Sequence, residues 1–397
     1  MIAPTSFFSD YGCPVRILEE ARALQQGGHR VSIVTYRNGR DVDGLAIHRT
    51  LPIPWRHGYE VGSSRHKLAF DALLSLSALR AALRLRPDVI HGHMHEGALI
   101  GAVLARLTGR PLVFDFQGSL SSEMVDHGFV REGGPWHRAV RRLEGWIDRH
   151  GASAIVTSSG HAVSHLTSAF GVPADRIHVL PDTVDASRFR PGLLSAAERA
   201  AALQALGIPA GRRIVVYLGL LARHQGTNLL LHATAMLVAE RPDVHVLVMG
   251  FPGTDVYNAR AEALGVAGHT TFTGRVPYED APARLALGDL AVAPKISTTE
   301  GSGKLLNYMA MGLPTVTFDT AVNREYLGDD GIYTPLGDVD RLAGAIGALL
   351  DDPARRAAIG GRLRERAVAR FDGARAAEVL SAVYDEVLGR AAPREDR

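Results

Sequence analysis

Cysteine and lysine are the scarce residues of this chain. Cys13 is the one cysteine among 397 residues, and Lys67, Lys295 and Lys304 are the only lysines among 44 Lys and Arg residues. A single thiol excludes an internal disulfide framework and any multi-cysteine zinc site, and it fits a reducing compartment. Long apolar runs are absent too: none approaches the roughly 20 residues that span a bilayer. No apolar leader opens the chain, so it is expected to act in the cytoplasm, at most resting on a membrane as a peripheral protein. A formal charge of +2 leaves no excess for a general affinity for nucleic acid. What is present is ordinary for a soluble protein, with 46% apolar and 22% charged residues. At roughly 100–200 residues per domain, the length predicts two domains.

Strand and helix patterns alternate from end to end, which predicts an α/β fold of parallel sheets covered by helices. Strands are expected at Val31–Tyr36, Val89–His91, Leu112–Phe116, Ala154–Thr157 and Ile177–Leu180, with helices at Pro14–Gln26, Ser64–Leu85, Ala98–Leu107 and Trp136–Arg149. The turn-rich segment V-L-P-D-T-V-D-A-S-R-F-R-P, ending at Pro191, closes this half. The pattern restarts with strands at Ile214–Gly219, Val244–Gly250, Thr270–Thr273, Leu290–Ala293 and Thr315–Phe318. The segment Met1–Pro4 reads as the tail of a central first strand, either very short or continued upstream. Two doubly wound domains imply a cleft lined by loops at the C-terminal strand ends. The expected division is 1–190, 191–372 and a C-terminal helix in 373–397 that packs back on the first domain.

The most informative stretch is P-K-I-S-T-T-E-G-S-G-K-L-L-N-Y-M-A-M-G-L-P, residues 294–314. Two of the three lysines lie in it. A buried strand leads into a Ser/Thr/Gly turn, and a helix from Lys304 to Met311 follows and stops at Gly312. Such a turn offers unpaired N–H groups and the positive helix end to an anion. Glu300 suits hydroxyl groups instead. Together they point to a ligand that is part phosphate and part polyol. A Walker A loop is excluded, because Thr298 stands where its first glycine belongs and Leu305 where Ser or Thr would bind magnesium.

Over essentially its full length the chain resembles the family 4 retaining glycosyltransferases with the GT-B fold, two Rossmann-like domains facing a central cleft. The resemblance rests on the order and spacing of V-V-Y-L-G, V-L-V-M-G, F-T-G-R-V, E-G-S-G-K-L-L-N-Y-M-A-M-G-L-P and V-L-P-D-T-V-D…F-R-P. It implies a nucleotide-sugar donor held against the second domain. Glu300 would meet donor-sugar hydroxyls, and Gly301, Ser302 and Gly303 would give N–H groups to the diphosphate. The ribose-binding acid of the family is replaced by Asn307, or by Tyr308 on strict counting. Gly274 and Arg275 match the segment that meets the base. The family's Arg and Lys after Gly219 are replaced by Leu220 and Gln225. The diphosphate charge is therefore expected to fall to Lys304 first and Arg223 second, with Lys295 as a third.

On the acceptor side the resemblance implies Gly12, His93, His95, Glu96 and Gln117. His91, His93 and His95 would share one face if their strand continued, which also admits a metal reading or simple packing at a strand end. Gln117 stands where relatives often carry a histidine that meets the donor sugar, so the resemblance implies a hydrogen-bonding substitute there and no titrating group. Asp115 is equally readable as an interior acid, and Glu325 matches a recurring family acid, with Asn323 and Arg324 beside it. The basic, amphipathic Trp136–Arg149 helix is either a core helix with a solvated Arg face or a surface for peripheral membrane contact. The implied activity is retaining transfer of a sugar to an unknown acceptor hydroxyl (glycan, lipid or small molecule), without a metal or other cofactor. Glu300, Lys304 and His93 carry the chemistry in this reading. A nucleotide-sugar 2-epimerase and a non-catalytic sugar-binding relative are the alternatives.

Overall fold

The computed structural model describes residues 1–10, 12–52, 67–126, 128–297 and 302–389. Its first sheet contains β1 (Ile2–Ala3), β2 (Ser32–Thr35), β3 (Ala46–Arg49), β4 (Ile90–His93), β5 (Leu112–Phe116), β6 (Ala154–Thr157) and β7 (Ile177–Val179). The helices of this half are α1 (Gly12–Gln26), α2 (Lys67–Leu85), α3 (Met94–Thr108), α4 (Leu120–Asp126), α5 (Pro135–His150) and α6 (Gly160–Phe170). The second sheet contains β8 (Arg213–Leu220), β9 (Val244–Phe251), β10 (Thr270–Phe272), β11 (Leu290–Ala293), β12 (Thr315–Phe318) and β13 (Ile332–Thr334). Around it lie α7 (Ala196–Ala205), α8 (Thr227–Glu240), α9 (Thr254–Ala263), α10 (Ala281–Leu285), α11 (Lys304–Ala310), α12 (Ala321–Leu327), α13 (Val339–Asp351) and α14 (Pro353–Arg370). The last helix is α15 (Gly373–Val387).

All strand pairs are parallel, in the orders β3-β2-β1-β4-β5-β6-β7 and β10-β9-β8-β11-β12-β13. Each order reverses once, between β1 and β4 and between β8 and β11. The crevices at those reversals are where a doubly wound sheet binds ligands. The apolar runs identify the central strands because both of their faces are covered: β9, β11 and β12 are buried almost throughout, and β8 is buried over Ile214–Tyr217. The edge strand β3 is half exposed, which is why A-I-H-R gives no strand signal in the sequence.

β4 ends at His93 and the chain enters α3 at Met94, four residues before the expected helix start. Alternation therefore stops at His93, and His95 leaves the face shared by His91 and His93. The expected helix from Ser64 is observed from Lys67, and 64–66 lie outside the described residues. Helix α15 packs on α1, where Ala376, Leu380 and Val383 join Leu24, Val113 and Val156 in one buried cluster. Among the described residues no helix is long and apolar enough to cross a membrane.

Candidate functional site

A cavity of about 630 Å³ opens at the C-terminal ends of β1, β4, β8 and β11, with residues of both halves in its wall. Both sheet reversals thus feed one site.

On the second-domain side, β8 delivers Gly219 and Leu220, and α11 begins directly opposite with Lys304. Lys304 Nζ donates to Gln225 Oε1 at 2.9 Å and to the Tyr217 hydroxyl at 3.3 Å, and it lies 4.4 Å from the centre of the Tyr217 ring. Gln225, which carries no charge itself, thus aims the one that Lys304 brings. The backbone at 219, φ +149°, favours glycine, and a Cβ there would stand 2.7 Å from Lys304 Nζ and push the ammonium from its place. At Gly226, φ +74°, a Cβ would collide with the Pro294 carbonyl oxygen, so this glycine lets the β8 loop close on the Lys295 loop. Lys295 is buried and lines the cavity. Ser302 and Gly303 line it as well, and Ser302 Oγ is buried with no hydrogen-bond partner among the described residues. Glu300 and Gly301 lie outside the described residues.

Asn307 and Tyr308 face different ways from α11. Asn307 lines the cavity. Tyr308 is fully buried, its hydroxyl accepting from the Leu218 N–H at 2.7 Å. Arg223 is a correction: the short turn 223–225 leaves it exposed and outside the cavity wall, while its neighbours Ala222, His224 and Gln225 line it. Gly274 and Arg275 are also outside the wall. The exposed Arg275 guanidinium stacks 4.1 Å from the ring centre of Phe251, a lining residue, and so backs the wall without forming it.

On the first-domain side, Gly12, His95, Glu96 and Gln117 all reach the cavity. His93 does not. It is fully buried behind Asp115, with Nδ1 2.9 Å from Asp115 Oδ2, because β4 is a central strand covered on both faces. Burial pushes its imidazole pKa down, outweighing the pull of Asp115, and its Nδ1–H donates a hydrogen bond to the carboxylate. A direct catalytic part for His93 is therefore withdrawn. Asp115 is the interior acid of the two readings. Burial alone would raise its pKa, but Arg16 and His93 overcome that and hold it well below the usual carboxylate range. Arg16 gives Asp115 Oδ1 two hydrogen bonds, 3.0 Å from Nε and 2.8 Å from Nη2, and reaches Asp182 Oδ1 from Nη1 at 2.6 Å. Gln117 Nε2 donates to Asp115 Oδ2 at 2.6 Å, which fixes the amide and leaves its oxygen as an acceptor.

Glu96 pairs with Lys67 at 2.5 Å. Burial acts to raise its pKa, but Lys67 prevails and lowers it. His95 Nε2 lies 3.2 Å from Asp148 Oδ1. Burial would lower the pKa of its ring, and Asp148 with Glu144 instead raises it. Glu325 accepts from the Gly160 N–H at 2.9 Å and so ties α12 to α6 rather than lining the cavity. Asn323 is buried on Thr317 and Phe318, and Arg324 pairs on the surface with Asp319. Helix α5 buries Glu144, Gly145, Ile147 and Asp148 and exposes Trp136, Leu143 and Trp146 among its arginines. Arg16, Lys67 and Asp182 were missed from sequence. Asp182 had a signal in the quoted linker motif, whereas nothing local joins Arg16 to an acid 99 positions away.

Known proteins match both halves. Residues 12–183 match the glycosyl transferase 4-like domain and residues 198–366 the glycosyl transferases group 1 domain. A D-inositol 3-phosphate glycosyltransferase of Thermobispora bispora is 28% identical, over 96% of this chain and 90% of its own length. A phosphatidyl-myo-inositol mannosyltransferase of Mycolicibacterium smegmatis is 26% identical, over 98% and 94%. Among solved structures, a sucrose-phosphate synthase from Thermosynechococcus elongatus superposes with a TM-score of 0.81 at 19% identity, covering 98% of both chains. Anabaena HepE in complex with UDP-glucose superposes with 0.74 at 19% identity, over 96% and 98%. These superpositions establish the GT-B architecture.

Proposed function

The chain belongs to the glycosyltransferases that pair a 4-like domain with a group 1 domain, and from that premise we propose that it moves a sugar from a nucleotide diphosphate to an acceptor hydroxyl with retention of configuration. The observation that carries this reading is Lys304 Nζ, held by Gln225 and Tyr217 over Gly219 in the wall of a cavity that both domains line. A diphosphate at Ser302–Lys304 would meet that ammonium and the first N–H groups of α11, with Lys295 as a second cation. As the bond from the anomeric carbon to the phosphate oxygen breaks, both electrons leave with the diphosphate, which can take the proton of the attacking hydroxyl. The new bond then forms on the face that the leaving group vacates. No side-chain base is required, and none of the steps uses a metal. Gln117, Asn307 and Glu300 are assigned to the hydroxyl groups of the donor.

The solved neighbour that carries UDP-glucose supports a nucleotide-sugar donor, and the names of the two curated relatives make an inositol-type polyol the first acceptor to try. Nothing favours the 2-epimerase alternative, since both relatives are named as transferases. Peripheral membrane contact through α5 is supported by Trp136, 76% exposed, and by the exposed Trp146 and Arg142 further along the same helix. Flotation with anionic vesicles checks it.

The test is thermal unfolding with UDP, GDP and ADP, followed by incubation with the sugar of whichever nucleotide binds. A true ligand at a hundredfold its Kd adds about 2.7 kcal/mol of stability. Absence of stabilisation by every nucleotide diphosphate would remove the donor reading.

A further inference from the structure

Away from the diphosphate wall, the described residues hold two places where three metal-ligating side chains converge. In one, Glu20 meets His91 and His93. Those two rings are stacked, 4.6 Å apart and 15° from parallel, so one ion cannot lie in both ring planes. Arg16 Nε also stands 2.9 Å from Glu20 Oε1 and already supplies a cation there. The second place differs on both points.

Glu144 and Asp148 lie one turn apart on α5 and project to the same side, towards His95 on α3. Both acids are 0% exposed and His95 is 3% exposed. His95 Nε2 is 3.2 Å from Asp148 Oδ1 and 3.9 Å from Glu144 Oε1. The Ser121 N–H satisfies Glu144 Oε2 at 3.1 Å. Glu144 Oε1 and Asp148 Oδ2 are buried with no hydrogen-bond partner, and neither acid pairs with Lys or Arg among the described residues. His165 on α6 interacts electrostatically with the same two acids, and its Nε2 is likewise buried and unpartnered. Two carboxylates removed from water with half their oxygens unbonded demand positive charge, and one imidazolium supplies only half of it.

We propose that this cluster binds one divalent transition-metal ion, Zn²⁺ being the best match. His95 Nε2, Glu144 Oε1 and a carboxylate oxygen of Asp148 are its three protein ligands, and a water takes the fourth position of a tetrahedral shell. Imidazole nitrogen with carboxylate oxygen in a small closed shell suits zinc, whereas magnesium and calcium call for six or more oxygens. The ion cancels both carboxylate charges. It also pins α3 to α5 behind Phe114 and Phe116, whose rings flank His95, and so fixes His95 in the acceptor wall. Its role is structural: it does not meet the diphosphate and is independent of the sugar-transfer reading.

The experiment uses the full chain without a metal-affinity tag, exchanged into metal-free buffer and titrated with Zn²⁺ while elemental content and thermal unfolding are followed. One zinc per chain, a rise in Tm on addition and its reversal by chelator are expected. The near-isosteric Glu144→Gln/Asp148→Asn double variant removes the charge with little change in shape. It should still unfold cooperatively and should bind zinc at least about 100-fold more weakly. A wild-type chain that takes up no zinc and keeps its Tm would overturn the proposal, leaving a proton-sharing acid pair. Equal zinc binding by the double variant would overturn it as well.

Discussion

Lys304 shows how a single residue acquires its role from its neighbours. Its ammonium is placed by Gln225 and Tyr217, and the vacancy above Gly219 gives it room. Loss of one transition-state donor of this kind costs about 3 kcal/mol. Lys304→Ala should therefore lower kcat by at least about tenfold, with unchanged turnover removing it from the mechanism. Gln225→Leu should cost less, because the charge stays and only its aim is lost. If Gln225 acts through Lys304, the double variant falls no further than Lys304→Ala alone, and additive losses would separate the two residues. The lysine and its glycine turn were legible as an anion site in the sequence. Gln225 was not, since its value lies in a contact across 79 positions that no local pattern encodes.

Among the elements, central strands and covered helices were the readable ones. β5, β6, β11 and β12 fall where their apolar runs end, while β3 and β13 pass unnoticed because edge strands carry mixed sequence. Strand β9 also carries a titration switch. His245 is 3% exposed, and burial, aided by Arg212 and His269, lowers its pKa from 6.5 to about 4. Above pH 6.5 the ring is neutral in both folded and unfolded chains. Between there and about pH 4 only the unfolded chain takes up the proton, so stability falls as pH drops. His245→Gln should flatten that part of the curve in urea titrations run at a series of pH values. Helix α15 offers a second check. Leu380→Ala, at a fully buried position against the first domain, should cost about 2–5 kcal/mol in the same unfolding assay.

Across the whole molecule, one arginine couples the parts. Arg16 leaves α1 to bind Asp115 on β5 and Asp182 in the linker, and Tyr326 of α12 donates to the other oxygen of Asp182 at 2.8 Å. The second domain thus shares the Asp182 carboxylate with Arg16, which in turn holds the Asp115 carboxylate that orders the Gln117 amide. Tyr326→Phe should lower stability by about 1–3 kcal/mol, because it leaves a half-buried carboxylate oxygen short of a donor. An unfolding midpoint equal to that of the wild type would show that solvent replaces the hydroxyl.

Sequence alone determined what depends on neighbours along the chain: the alternation of strand and helix, the glycine turn ahead of Lys304, and the near absence of cysteine. Those features sufficed for two doubly wound domains and an anion-binding turn, because periodicity and turn chemistry act over a few residues. Tertiary structure decided which side chains face the cavity. It turned Arg223 outward, buried His93 behind Asp115, and chose Asn307 over Tyr308. It also gathered His95, Glu144 and Asp148 from two helices. Facing and convergence depend on packing between segments far apart in the chain, and only the folded sheets bring those segments together.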